Sequence, residues 1–134
     1  MVIFRLGERA HGIDLSAVRE ILRPRAATRL PGAPAAVMGL INVRGTIVTV
    51  VDLGVALGLR TEPAAGAVML VELGSKLVGA AVDEVLEVQR WADDRLDAVP
   101  DDIQEGGAVR ALGTHAGGVV VVLDIHDLLS HVLA

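Results

Sequence analysis

The sequence predicts an all-β chain folded as two similar lobes, and three observations carry that reading. The apolar runs are short, rich in β-branched residues and bounded by Gly, Pro or charge. Helix signals are few. The chain also repeats itself. A slide of 67 residues lays Val2–Leu22 over Met69–Gln89 with no gap, and a slide of 72 lays Ile47–Leu53 over Val119–Ile125. With 134 residues the chain has the length of one ordinary domain. Two lobes, approximately 1–66 and 67–134 with exchange of strands between them left open, would each be too small to hold a large core, so they should share a seam.

Taken in order, the strand signals fall at 2–6, 11–15, 18–23, 47–53, 68–73, 77–82, 85–89, 109–113 and 119–125. Gly7-Glu8-Arg9, Gly74-Ser75-Lys76 and Gly117-Gly118 read as hairpin tips, where Gly supplies the unusual dihedrals. Asp14–Leu22 fits either an amphipathic helix, with Leu15, Val18, Ile21 and Leu22 on one face, or a strand, a turn and a second strand. Periodicity does not choose between them. Pro34 is placed to open a single helical turn that Gly39 closes. Asp52 and Asp124 end equivalent apolar strands in the two copies and read as turn caps. Residues 90–108 are polar and read as a surface connection. Leu128, Leu129, Val132 and Leu133, entered from Asp124 or Asp127, have the spacing of a short C-terminal helix.

Composition removes several function classes. Phe4 and Trp91 are the only aromatics, which disfavours a base-stacking platform or an aromatic-walled ligand pocket. The net charge is −5, of which residues 90–105 carry −4, so a basic nucleic-acid face is not expected. There is no cysteine, hence no disulfide scaffold, thiolate metal site or Cys nucleophile. Mean hydropathy is +0.55, yet no run approaches the ~18 uncharged apolar residues of a membrane span. The opening Met1-Val2-Ile3-Phe4-Arg5 is too short for a signal peptide. These features lead to the expectation of a cytoplasmic protein without membrane insertion.

Catalytic constellations are weak. Ser16, Ser75 and Ser130 lie in no nucleophile elbow, and there is no Gly-rich phosphate loop. Lys76, the single lysine, sits on an exposed tip, a poor place for a Schiff base. Asp124, His126, Asp127 and His131 cluster near the end, but an i, i+5 spacing of His126 and His131 does not put two ligands on one helix face. A metal-dependent enzyme built on them is the alternative from a different class. Interaction chemistry is better represented. Gly39-Leu40-Ile41-Asn42-Val43-Arg44-Gly45 sets one charge in an apolar segment, and Arg offers a planar fork suited to a carboxylate. Glu20, flanked by Val18 and Ile21, is a candidate partner from the same chain. A solvent-exposed Arg44 at the turn is the competing reading.

These residues, in this order, resemble the CheW family of chemotaxis coupling proteins. The resemblance runs through Phe4-Arg5-Leu6-Gly7, Gly12-Ile13-Asp14-Leu15, Val18-Arg19-Glu20-Ile21-Leu22, Thr28-Arg29-Leu30-Pro31 and Gly39–Gly45. It continues through Ile47–Leu53, Leu77–Val85 and Leu123-Asp124-Ile125. It implies two five-stranded, SH3-like β-barrels around a shared apolar centre with a short C-terminal helix, and strand-turn-strand for Asp14–Leu22. It further implies a non-catalytic adaptor, needing no cofactor, that couples chemoreceptor tips to a CheA-type histidine kinase. The kinase's C-terminal regulatory domain is of the same kind and pairs barrel against barrel. A CheW-like adaptor of a non-motility chemosensory pathway (pili, biofilm, development) would look the same. By position, Leu15, Val18, Glu20, Ile21, Thr28, Gly39, Asn42, Arg44, Val78 and Val85 are the expected receptor- and kinase-binding residues. His11 and Thr49 depart from the family, which often has an aromatic at the first place and Pro at the second. The chain's end soon after Leu133 leads to the expectation of a stand-alone adaptor.

Overall fold

The computed structural model describes residues 1–60, 66–90, 96–99 and 108–133. The strands are β1 (Val2–Leu6), β2 (Arg9–Ile13), β3 (Val18–Leu22), β4 (Val37–Val43), β5 (Thr46–Asp52), β6 (Ala67–Leu73), β7 (Lys76–Val82), β8 (Glu84–Val88), β9 (Val109–His115) and β10 (Gly118–Leu123). A single 3-10 turn spans Leu15–Ala17, so Asp14–Leu22 is turn and strand rather than helix. Two short helices follow β5 and β10: α1 (Leu53–Ala56) and α2 (Ile125–Val132). Each is capped by the aspartate read as a cap. Asp52 accepts from Val55 N at 3.0 Å and Asp124 from Asp127 N at 3.1 Å.

The strands form two five-stranded sheets, in the orders β8-β1-β2-β10-β9 and β3-β6-β7-β5-β4. This matches the expected pair of five-stranded subdomains, and the SH3-like detail is consistent with it. The sheets do not follow a cut at residue 66, however. The hairpin of each sequence copy lies between the third strand and the last two strands of the other copy. β1-β2 joins β8, β9 and β10, while β6-β7 joins β3, β4 and β5. The exchange keeps register. Thr49 pairs with Val78 and Val50 with Gly79 across the parallel β5–β7 pair. The matching residues of the other copy, Val121 with His11 and Val122 with Gly12, pair across β2–β10.

Interlocking explains the near-continuous apolar runs. A strand buried on both faces cannot alternate apolar with polar. In β1, Val2, Phe4 and Leu6 enter a core shared by both sheets, whereas Ile3 enters the interior of its own lobe with Ala111, Val120 and Val122. In β6, Met69 and Val71 enter the shared core, whereas Val68 and Leu70 face Ile41, Val43 and Val48. Leu128 and Leu129 of α2 complete the shared core. The expected seam is therefore the largest apolar cluster among the described residues. His11 stands opposite Phe4 in the β1–β2 ladder, and its ring stacks on that phenyl ring with centroids 6.0 Å apart.

One expected element is corrected. The segment after Pro34 forms a single turn, with Val37 N bonded to Pro34 O at 2.9 Å, and then enters β4. Pairing with β5 and burial of Ile41 and Val43 outweigh the local helix preference of Ala35, Ala36 and Met38. Gly39 sits inside β4 at a register shift, with φ at +141°. A Cβ there would lie 2.1 Å from Thr28 O. That approach lets Thr28 and Leu40 exchange two backbone hydrogen bonds of 2.8 Å and tie the chain following β3 to the opposite edge of the sheet. Asp97 and Leu112 make the corresponding exchange in the other sheet. The strong acidic stretch expected as a surface connection lies for the most part outside the described residues.

Two outcomes follow. Gly39→Ala should cost about 3 kcal/mol, because overpacking against the Thr28 backbone adds to the positive-φ penalty. Gly45→Ala, with φ at +88° and nothing within 4 Å of its Cβ, should cost only about 1–2 kcal/mol. Equal losses in urea denaturation would contradict the close-approach account. The second concerns acid. His11 is buried, and desolvation lowers its pKa below the ordinary value of about 6.5. As pH falls below about 6.5 the unfolded chain takes up a proton that the folded chain refuses, so stability falls with pH. Above that pH the group contributes no slope. His11→Phe should flatten the decline between about pH 6.5 and the lowered folded value, measured as the difference in denaturation midpoint across that window.

Candidate interaction site between the lobes

Glu20 lies on β3 and Arg44 at the β4–β5 turn, strands at opposite edges of one sheet. Closing the sheet brings them together. Arg44 Nη1 donates to Glu20 Oε2 at 3.1 Å and Nη2 to Glu20 Oε1 at 2.5 Å, a fork-on-carboxylate pair. The hydrogen bonds from Arg44 hold the Glu20 carboxyl below its ordinary pKa, and the Arg44 guanidinium is raised in return. Arg44 is both paired and exposed, so each sequence reading holds in part. Its φ of +49°, followed by Gly45 at +88°, gives the doubly left-handed turn that suits a tight hairpin. Asn42 supports that turn by accepting from Gly45 N at 2.8 Å, and its carbonyl accepts from Arg25 Nη1 at 3.1 Å. Glu87 and His115, 3.0 Å apart, make a similar contact at the closing edges of the other sheet.

Next to the Glu20–Arg44 edge, a shallow groove of about 470 Å³ runs along the boundary of the lobes. Ile21, Leu22 and Pro24 line one bank, and Ala67, Glu84 and Val85 line the other. Ile21 is 40% exposed although its neighbours on the same strand are polar or buried. Arg23 rises from the first bank and Glu84 from the second, so the groove is apolar in its floor and oppositely charged at its rims.

The expected site residues separate into groups. Glu20 and Arg44 meet directly. Thr28 and Gly39 meet through backbone, and both belong to sheet closure. Ile21 and Val85 face the groove. Leu15 is exposed on the 3-10 turn, away from the groove lining. Val18 is half-buried and packs on the shared core. Val78 is 2% exposed inside that core and presents no contact surface, because β7 is buried on both faces. Sequence reasoning missed Pro24, Ala67, Asp83 and Glu84. The break from the apolar run of β7 into Asp83-Glu84 was the available signal.

The histidine cluster does not assemble. Asp124 is spent as the α2 cap, His126 Nε2 lies 2.9 Å from Glu72 O, and His131 Nδ1 contacts Asp127 O of its own helix at 2.7 Å. No group of three or more metal-ligating side chains comes together among the described residues. No helix among them is long and apolar enough to cross a membrane.

A family model described as CheW-like domain matches residues 1–133. The Chemotaxis protein CheW of Rhizobium meliloti (strain 1021) is 36% identical over 103 residues, covering 75% of this chain and 66% of the relative. The chain thus spans slightly less than two thirds of that relative's length. Protein PilI of Pseudomonas aeruginosa is 34% identical over 93 residues, 68% of this chain and 52% of that protein. Among solved structures, the crystal structure of the scaffolding protein TtCheW from Thermoanaerobacter tengcongensis is similar with a TM-score of 0.84 at 25% identity, covering 95% of this chain and 89% of that one. With the family model spanning residues 1–133 and the fold matching a solved relative over 95% of this chain's length, the chain belongs to the CheW-like domain family.

Proposed function

We propose that this chain couples chemoreceptors to a CheA-type histidine kinase, without catalysis, at membrane-associated receptor arrays in the cytoplasm. The observation that carries the proposal is the apolar groove between the lobes, with exposed Ile21 on one bank and Val85 on the other. A helical hairpin from a receptor's cytoplasmic tip can lay apolar side chains into such a groove. Rim charges then set its register more than its affinity. In the same proposal the kinase's C-terminal regulatory domain, of the same kind by the family resemblance, pairs with this chain barrel against barrel. An adaptor of this kind acts by position: several weak contacts reinforce one another through effective concentration once receptor and kinase sit in one array.

Likeness to PilI favours a second reading, an adaptor of a non-motility chemosensory pathway. The two readings share a mechanism and differ in partners. Deleting the gene should abolish swimming chemotaxis under the first reading. Under the second it should leave chemotaxis intact and impair surface behaviour.

Co-purification from the native cell should recover a CheA-type kinase and receptors. Ile21→Asp should weaken binding of a receptor tip fragment by about tenfold or more, since a carboxylate would be desolvated in the contact. Unchanged affinity in titration calorimetry would remove the groove from the mechanism. Ile21 is a cleaner probe than Val18, whose half-buried side chain supports the core. Glu20→Arg and Arg44→Glu should each reduce receptor binding several-fold, and the double swap should restore most of it. A double variant no better than the singles would show that the pair does not shape the site.

A further inference from the structure

A half-buried arginine, Arg60, contacts Asp83 of the groove lining. Arg60 Nη2 reaches both carboxylate oxygens of Asp52 at 2.8 Å, and Nη1 reaches Asp83 Oδ1 at 2.8 Å. The Asp52 side chain is fully buried, and those of Arg60 and Asp83 are 20% and 14% exposed. Asp83 is held from the other side as well. Gly7 N donates to its Oδ2 at 2.6 Å, and Arg5 Nη1 lies 3.7 Å away. The chain is arranged to deliver Arg60. After α1 it turns through Gly58 at φ +73°, and Leu59 N bonds back to Gly54 O at 2.8 Å. Gly54 has no side chain where the guanidinium sits: a Cβ there would meet Arg60 Cζ at 2.6 Å.

The three anchored points belong to different parts of the fold. Asp52 ends β5 in one sheet. Asp83 is the single residue between β7 of that sheet and β8 of the other. Gly7 is the β1–β2 turn of the other sheet. Asp83 also lines the groove, immediately before the Glu84–Val85 bank. One guanidinium therefore links the helix cap of one lobe to the place where the chain crosses into the other. Lysine, a point charge without a fork, cannot make both sets of contacts.

The internal duplication supplies a comparison within the molecule. Asp124 is the counterpart of Asp52, Ser16 of Asp83 and Gly74 of Gly7. At that corner the position of Arg60 falls on Val132, and Asp124 is exposed. The corner opens into a cleft of about 270 Å³ lined by Ser16, Arg110, Asp124 and His126. Among the described residues, only the corner at Asp83 carries an arginine clamp of this kind.

We infer that Arg60 is a positioning residue of the interaction groove: by bridging Asp52 and Asp83 it sets the position of the Asp83–Val85 bank relative to Ile21, and thereby the groove's fit for an apolar helix. This rests on the reading of the groove as the receptor site. The test measures binding of a chemoreceptor tip fragment to the full chain by calorimetry, alongside methyl NMR and thermal unfolding. Arg60→Gln should unfold at lower temperature and bind weakly. Arg60→Lys keeps the charge and should regain most of the stability while binding still falls about fivefold, the scale of coupling through packed elements. Asp83→Asn, at a partly exposed position, should fold and show the same loss. In both, the Val85 and Ile21 methyl signals should move while those of Leu129 in the shared core stay in place. Folded Arg60→Lys and Asp83→Asn proteins that bind as the unsubstituted chain does, with Ile21→Asp still defective, would overturn the clamp and leave the groove standing. If Ile21→Asp binds normally too, the groove reading itself fails.

Discussion

The structure depends on one constraint: neither half of the chain can bury its own apolar surface. Each sequence copy carries strands that are apolar on both faces, and the face left over by its own lobe interior is covered in the core shared with the other lobe. Exchanging hairpins solves the problem. One face of β1, β6 and β7 enters a lobe interior and the other enters the shared core, so the two lobes become one cooperative unit. Disturbance of the seam is therefore expected to be felt by both sheets together.

Exchange also decides where surfaces remain for binding. Hairpins in the middle of each sheet leave β3, β4, β8 and β9 as the outer strands. Open edges invite indiscriminate pairing. Here they are tied by short backbone bridges and by side-chain contacts, the ion pair of Arg44 with Glu20 and the contact of His115 with Glu87. The crossings between sheets leave corners, and one of them forms the groove. Its apolar side chains are flanked by Arg23 on one bank and Glu84 on the other.

The duplication is not symmetrical in its chemistry, and the differences are informative. Arg44 faces Glu20 with a permanent charge, where the other sheet uses His115 against Glu87. Arg60 locks one crossover corner, where Ser16 and Asp124 leave the other open. Equivalent places in the two strand orders thus carry different side chains.

Much of this was legible in the chain itself, because short-range physics wrote it there. β-branched runs, turn glycines and the capping aspartates Asp52 and Asp124 identified the all-β class and most strands, and the two slides exposed the repeat. The pairing of Glu20 with Arg44 was legible as chemistry, a fork and a carboxylate in similar apolar settings. Pairing across distance was not legible. Nothing local tells β1-β2 to join strands from the far half, that Val78 points into a core, or that Ala35–Met38 yields to a ladder with β5. The Arg60 clamp was invisible for the same reason: its partners are adjacent only after the sheets interlock. Local sequence determines which dihedrals and which faces each segment prefers. Only the folded chain decides which faces meet, because that choice is made by the total apolar area removed from water rather than by any segment alone.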